Sequence, residues 1–323
     1  MEWVDLHCDV LYEVSRRRRM GERDVIRRIM LQDLRSSGVK VLVCSLFVDD
    51  QGVHRALQEA LHQVWCLLEE EREAREDLMV IRDRDDLRRC LSSRRIGLVL
   101  SMEGAEPVQD DPELLRFFRS MGLSFLALTW SRRNRLADGV DLTRTVRSPG
   151  GLSAQGVSAL ETARSLGLAL DLSHLNDPGT EDVIRSGVPI LATHSNCRSL
   201  CDHPRNLADP HLEAIGRRGG VVGFNAHGAF VGSDDPVEGM YRHISHLALV
   251  AGEAACALGL DLCDRFDAFF HGERRDLFMS HREASQALQV LGGRLGARSM
   301  GRLLMDNPIR VLEGALPSSV PGV

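Results

Sequence analysis

The chain has 323 residues, of which 43% are hydrophobic and 27% are charged, and its formal net charge is −6. These values are typical of a globular protein, and the acidic balance argues against a nucleic-acid-binding surface. No run approaches 18 uninterrupted apolar residues and the N-terminus has no apolar signal segment, so we predict a cytoplasmic protein that binds neither membranes nor nucleic acid.

Short apolar runs recur along the chain, and many follow an amphipathic stretch and a glycine. Asp111 is expected to cap the helix in "DPELLRFFRSM", and Gly167 is expected to end the helix in "SAQGVSALETARSL". We expect residues 48–95 to hold a long charged helix and a short one. The eight predicted strands are the opening segment from residue 4 and the runs 38–47, 95–104, 122–130, 167–174, 187–194, 219–225 and 254–261.

Near-continuous apolar strands that alternate with helices indicate a parallel sheet buried on both faces. Eight such units predict an α/β fold of the (β/α)8 TIM-barrel type, formed as a single domain over residues 1–323. A doubly wound open sheet that binds a nucleotide is the alternative. It is disfavoured because no G-x-G-x-x-G motif follows the first strand.

Eight cysteines are scattered along the chain without a C-x-x-C pair. We therefore expect reduced, mostly buried thiols rather than disulfides or a four-cysteine zinc site. Two basic runs, at 15–20 and 131–135, are either phosphate-binding patches or charged surface. The acidic balance elsewhere favours a solvated face for the first run.

Polar side chains stand at the carboxyl ends of the predicted strands, where barrels place their active sites. In an extended segment, His7 and Asp9 would share one face of the first strand. Convergence of so many ionisable groups in one barrel mouth would be unfavourable without a cation. The candidate metal ligands at these ends are His7, Asp9, Glu103, His174, His194 and Asp261.

Three imidazoles combined with carboxylates suit zinc better than magnesium or calcium. Even five of these six candidates would exceed the three protein ligands that one catalytic zinc usually takes, so we predict two zinc ions per chain. Glu103 is the expected bridge between them, because its strand lies between the two groups of ligands.

The motifs "DLHCD", "SMEGAE", "GLSFLALTW", "GLALDLSHL", "ATHSNCRSLCDHPRNL", "GGVVGFN" and "ALGLDL" occur in this order. Over residues 4–264 the chain resembles the membrane dipeptidase (renal dipeptidase) family, a zinc peptidase branch of the amidohydrolase barrels. The last sixty residues match weakly, through "DNPIRVL". The resemblance implies a dipeptidase that acts on a small peptide or amide substrate, and it implies a homodimer.

The resemblance also implies roles for single residues. His7 and Asp9 correspond to the ligands of one zinc, His174 and His194 to those of the other, and Glu103 to the bridge. Arg205 would hold the substrate's terminal carboxylate, for which a guanidinium is suited. Asp261 would transfer protons next to the bridging water. We also expect Asn225, at the end of the seventh strand, to contact the substrate.

Two positions depart from the family pattern. Trp130 stands where many members have a histidine, and it would either donate a hydrogen bond to the reacting carbonyl or line the pocket. Cys263 replaces an aspartate that is common after Asp261. Three other functions stay open: hydrolysis of a lactone, phosphoester, N-acyl amino acid or peptide-derived metabolite; a non-catalytic, metal-binding or metal-free relative; and the nucleotide-binding protein already named.

Overall fold

The computed structural model describes residues 1–143, 145, 148–270, 272–273 and 275–318. Within these residues the chain alternates strands and helices from its first strand onward. The strands are β1 (Trp3–Cys8), β2 (Val39–Phe47), β3 (Leu78–Ile81), β4 (Ile96–Glu103), β5 (Leu123–Ala127), β6 (Ala169–Asp171), β7 (Ile190–Leu191), β8 (Val222–Phe224) and β9 (Cys256–Leu258).

Helices connect these strands and cover the outside of the sheet. They are α1 (Val10–Arg19), α2 (Val25–Ile29), α3 (Leu31–Ser37), α4 (Ala56–Glu73), α5 (Arg84–Leu91), α6 (Leu115–Ser120), α7 (Ala154–Ser165), α8 (Asp177–Ser186), α9 (Asp209–Arg217), α10 (Gly228–Val231), α11 (Pro236–Ala251), α12 (His281–Leu295), α13 (Ala297–Gly301) and α14 (Asn307–Ala315). Within the described residues, none of these helices combines the length and the hydrophobicity that a membrane span requires.

Eight of the strands form a ring of parallel neighbours. Six pair in the order β1-β2-β4-β5-β6-β7, and β8 pairs with β9. A parallel bridge between Ala192 and Val222 joins β7 to β8. The ring closes where the backbone N–H of Leu260, just after β9, donates to Asp5 Oδ1 of β1 at 2.9 Å. The predicted (β/α)8 barrel is therefore confirmed, while its extent as one domain over 1–323 stays a prediction, since the last five residues lie outside the described part.

Strand β3 corrects the expectation that residues 48–95 hold only two helices. Its four residues pair with Ile96–Val99, the first half of β4, while β5 pairs with the second half of the same edge. β3 is thus a ninth strand outside the ring. Four apolar residues between two charged helices are too few to show a strand period in the sequence.

The β-strands are buried on both faces, which is why they read as nearly unbroken apolar runs. All nine residues of β2 are buried. Val41 and Val43 pack with alternate residues of the other strands inside the ring, whereas Leu42 and Cys44 pack against the helices. The expected N-cap is also present, because Asp111 accepts a hydrogen bond from the Glu113 backbone at 3.2 Å.

All eight cysteines are free, as predicted. The arginines of the first basic run pair with carboxylates of Glu13, Glu59, Glu70 and Glu73. Arg18 is only 4% exposed. The prediction of a solvated face was therefore wrong for Arg18, whose guanidinium is buried against Glu70.

Candidate metal centre

The six candidate ligands lie together at the carboxyl ends of the barrel strands. Glu103 is the last residue of β4. His174, His194 and Asp261 each lie three residues beyond the end of β6, β7 and β9, respectively. The strands thus end earlier than predicted, and these three side chains stand on loops. Two of them, His174 and Asp261, have left-handed backbones, with φ of 67° and 57°, a strained conformation that often marks functional positions.

A β-bulge turns His7 toward the barrel mouth. Asp5 pairs with Leu42 and Cys8 pairs with Cys44, so two residues of β1, Leu6 and His7, oppose the single Val43. Asp9 is not part of the strand; it precedes the first residue of α1. The prediction that His7 and Asp9 share one face of the first strand was therefore wrong. The structure nevertheless brings them together, with His7 Nε2 3.6 Å from Asp9 Oδ1.

Glu103 lies between two sets of ligand atoms. Its Oε2 is 3.6 Å from His7 Nε2. Its Oε1 is 2.7 Å from His174 Nε2 and 3.4 Å from His194 Nε2. The two oxygens of one carboxylate thus face different histidines. This is the arrangement that a bridging ligand requires.

His174 and His194 present their Nε2 atoms to one point, 3.0 Å apart. Their Nδ1 atoms contact hydroxyls on the other side, at 2.7 Å from Ser131 Oγ and 2.8 Å from Thr193 Oγ1. Such contacts orient an imidazole for metal binding. Burial lowers the pKa of both histidines well below the ordinary value, which favours the neutral form that binds a metal.

Three buried atoms of this centre have no hydrogen-bond partner among the described residues: His7 Nε2, Asp9 Oδ1 and Glu103 Oε2. Buried polar atoms normally have partners. Burial lowers the pKa of His7, but the carboxylates of Glu103, Asp9 and Asp261 outweigh burial and raise it to about 10. Burial and the Asp9 carboxylate raise the pKa of Glu103 well above its ordinary value. A cation would relieve both effects, so these residues fit a divalent metal.

Asp261 lies beside the His7 side of the centre. Its Oδ1 is 3.8 Å from His7 Nε2, and its Oδ2 accepts a hydrogen bond from Asn225 Nδ2 at 3.0 Å. Cys263 Sγ lies 3.3 Å from Asp261 Oδ1 and 3.6 Å from Asp9 Oδ2. Asn225 therefore contacts the candidate proton-transfer residue, and the substituted Cys263 contacts two carboxylates of the centre.

Arg205 is buried next to His194. Its Nη2 donates to the backbone carbonyl of His194 at 3.0 Å, and its Nη1 lies 3.4 Å from Ser195 Oγ. Its Nε has no partner among the described residues. Burial lowers the pKa of Arg205. One nitrogen of a buried guanidinium is thus left without a protein partner.

Trp130 packs beside the centre. Its ring lies 5.8 Å from that of His174 and 5.5 Å from that of Phe47, and the Arg132 guanidinium lies 5.3 Å from its centroid. Among the described residues the indole N–H has no hydrogen-bond partner, so both expected roles, pocket lining and hydrogen-bond donation to a substrate, are compatible with its position.

The sequence reasoning missed Ser131 and Thr193, which orient the two histidines. Ser131 was read only as part of a basic run. Thr193 directly precedes His194, and its hydroxyl also contacts Asp171 Oδ2 of β6. Only proximity to the histidine could have suggested Thr193, because the contact depends on the loop conformation.

Comparison with known proteins agrees with this geometry. A family model described as membrane dipeptidase, Peptidase family M19, matches residues 1–313. The chain belongs to the membrane dipeptidase family.

Two solved structures of this family resemble the chain over nearly its whole length. Dipeptidase AC, an M19 metallopeptidase, is 26% identical with a TM-score of 0.86, and the match covers 99% of both chains. A metallopeptidase from Rhodobacter sphaeroides, bound to a phosphinate mimic of the dipeptide L-Ala-D-Ala, is 26% identical with a TM-score of 0.83, over 98% of this chain and 99% of that one. The family and these structures support a metallopeptidase.

Curated relatives match over shorter spans. An uncharacterized protein in the pqqA 5′ region of Klebsiella pneumoniae is 34% identical over 185 residues, which are 54% of this chain and 68% of that protein. An uncharacterized dipeptidase of Schizosaccharomyces pombe is 31% identical over 172 residues, 52% of this chain and 41% of that protein. The chain thus aligns with less than half of the yeast protein.

Proposed function

We propose that this member of the family is a binuclear zinc dipeptidase, which hydrolyses the peptide bond of dipeptides or related small amides. One observation carries the proposal. The two oxygens of the buried Glu103 face different histidines, Oε2 facing His7 and Oε1 facing His174 and His194. A single ion would not need a carboxylate shared in this way.

In this proposal the residues of the chain hold two ions. His7 and Asp9 hold one, His174 and His194 hold the other, and Glu103 binds both. Zinc ions bound there supply Lewis acidity and make the attacking water a stronger acid.

The remaining residues bind the substrate and move a proton. Asp261, held by Asn225 at 3.0 Å, accepts the proton of the attacking water and returns it to the leaving amine. Arg205 binds the terminal carboxylate of the substrate through its guanidinium, whose Nε has no protein partner. Trp130 lines the pocket and offers its indole N–H to the carbonyl oxygen.

A substrate screen of the zinc-loaded protein tests the reaction. We expect turnover of L,L- or L,D-dipeptides. Turnover of lactones or N-acyl amino acids with no dipeptide hydrolysed would show instead a different reaction at the same metal centre.

A substitution tests the carboxylate contact. Arg205→Ala should raise KM for dipeptides, because about 2–4 kcal/mol of charge-assisted binding free energy is lost. The effect on kcat should be smaller. Arg198→Ala is the matched control, because Arg198 lies in the same loop but its guanidinium binds Asp177 at 2.7 and 2.8 Å. Equal cleavage of dipeptides and dipeptide amides by the unmodified protein would contradict the role of Arg205.

A further inference from the structure

Four aromatic rings form a continuous group at one side of the barrel mouth, and we call this group the aromatic wall: Tyr12, Phe47, Trp130 and Phe269. Tyr12 lies 5.5 Å from Phe47 and 4.9 Å from Phe269, measured between ring centroids. Phe47 lies 5.5 Å from Trp130 and 6.0 Å from Phe269. Phe47 is buried, and the other three rings are partly exposed.

The aromatic wall borders the metal centre directly. Phe47, the last residue of β2, pairs across the sheet with Glu103. Trp130 lies 5.8 Å from His174. A substrate whose reacting bond lies at Glu103 and His174 would therefore have these rings within reach of its neighbouring side chain.

Arg205 lies across the barrel from the aromatic wall. It follows β7 and contacts His194 and Ser195. Phe47 ends β2, and β2 is four strands away from β7 in either direction around the ring. A dipeptide whose carboxylate binds Arg205 and whose peptide bond lies over the metal centre thus directs its N-terminal residue toward the wall.

The wall is held in place by polar contacts at its edges. The Tyr12 hydroxyl donates to Asp49 Oδ2 at 2.5 Å. The Arg132 guanidinium, 5.3 Å from the Trp130 ring, binds Glu106 Oε1 at 2.9 Å and the backbone carbonyl of Val48 at 2.6 Å. These contacts hold Tyr12 and Trp130 in place, so the four rings form a preorganised surface that is mostly apolar.

We propose that the aromatic wall is the binding site for the substrate's N-terminal side chain, and that it selects large apolar residues such as phenylalanine and leucine over glycine and glutamate. This inference rests on the proposed function. An aromatic side chain gains ring contacts there, whereas a carboxylate would lose its hydration against apolar rings.

Kinetics with a substrate series test the proposal. For Phe-Ala, Leu-Ala, Gly-Ala and Glu-Ala we expect kcat/KM to be at least about tenfold higher for the first two than for the last two. Phe269→Ala should lower kcat/KM for Phe-Ala by about tenfold and change that for Gly-Ala by less than about threefold. Phe270→Ala is the matched control, since this neighbouring ring is exposed and stands outside the wall. An equal loss for all four substrates, or no preference in the unmodified protein, would overturn the proposal.

A binding measurement separates this inference from the proposed reaction. Calorimetry on the zinc-loaded protein compares phosphinate mimics of Phe-Ala and Gly-Ala, which bind without being hydrolysed. We expect the Phe mimic to bind at least about tenfold more tightly, and Phe269→Ala to remove this difference. If the mimics show this pattern but no dipeptide is hydrolysed, the proposed reaction fails and the subsite stands. If dipeptides are hydrolysed while both mimics bind equally or neither binds, the subsite is wrong.

Discussion

Both oxygens of Asp261, the residue proposed to transfer the proton, have contacts that fix the position of the carboxylate. Oδ2 accepts a hydrogen bond from Asn225, and Oδ1 lies 3.8 Å from His7 Nε2 and 3.3 Å from Cys263 Sγ. Burial raises the pKa of Asp261 in the protein alone. Nearby cations act in the opposite direction, so the metal-loaded site favours the ionised form that accepts a proton.

Replacing Asp261 by asparagine tests this role. Asn keeps the shape and some hydrogen bonding but cannot accept the proton, so kcat should fall by about 10²-fold or more while KM and metal content change little. Turnover and metal content are measured on the same preparation. Loss of one ion in Asp261→Asn would make the residue a metal ligand first, and near-normal turnover with full metal would remove it from the mechanism.

At the scale of single residues, the sequence predicted which residue types form the site better than it predicted their backbone conformation. His7, Glu103 and His194 were recognisable because ionisable side chains interrupt apolar runs at barrel strand ends. The β1 bulge and the left-handed backbone of His174 leave no mark in the residue order. The hydroxyls of Ser131 and Thr193 could not be predicted for the same reason, since loop geometry brings them to the imidazoles.

At the scale of elements, Asp33 of α3 holds the first turn of α12. Its Oδ2 accepts from the backbone N–H of His281 at 3.1 Å, and its Oδ1 from that of Arg282 at 3.0 Å. Arg265 Nη1 donates to Oδ2 at 2.8 Å. Burial raises the pKa of Asp33, but contacts with His281 and Arg265 outweigh it and hold this pKa below its usual range. A carboxylate at a helix N-terminus also stabilises the helix through its dipole.

Asp33→Asn should therefore lower the free energy of unfolding by about 1–2 kcal/mol at pH 7. Because the pKa is depressed in the folded state, the stabilisation is fully present above the unfolded pKa of about 3.9 and is lost progressively as pH falls from there through the lower folded pKa. Urea denaturation of both proteins at pH 7 and pH 3 measures this, and the difference should shrink at pH 3. Asp85→Asn, in an exposed pair with Arg88, serves as the control and should change stability by less than about 0.5 kcal/mol. A constant difference at both pH values would contradict the charge-based explanation.

The bounds of the strands show which of them can be predicted from the pattern of apolar residues. The runs 38–47 and 95–104 were predicted nearly as they occur, at Val39–Phe47 and Ile96–Glu103, because both are long and buried on both faces. The run 187–194 contains only the two-residue strand Ile190–Leu191. Its remaining residues include the loop that carries Thr193 and His194, and an apolar stretch leading into such a loop looks the same in sequence as a longer strand.

At the scale of the whole molecule, the metal centre joins parts of the chain that are far apart in sequence. We expect close to two zinc ions per chain after mild dialysis, measured by elemental analysis, and a rise in Tm on zinc binding, since a ligand at 100 times its Kd adds about 2.7 kcal/mol of stability. Glu103→Gln should lose more metal than His174→Ala or His194→Ala, because one oxygen of Glu103 faces His7 and the other faces His174 and His194. One ion or none per chain would refute the two-metal proposal.

The expected homodimer and cytoplasmic location stay predictions.

The closure of the barrel between its first and last strands has a consequence for biosynthesis. Asp5 of β1 can form its contacts only after Leu260 and His281 have been synthesised. Its Oδ1 accepts from the backbone N–H of Leu260, and its Oδ2 lies 2.9 Å from His281 Nε2. At about 5–20 residues per second, a ribosome needs about 10–50 s to pass from His7 to Asp261. Until the end of that interval the nascent chain contains Asp9, and later Glu103, but not Asp261. A metal ion held by these residues would therefore enter a centre that is completed only after most of the chain has been translated, because the first strand of the ring closes against the last one.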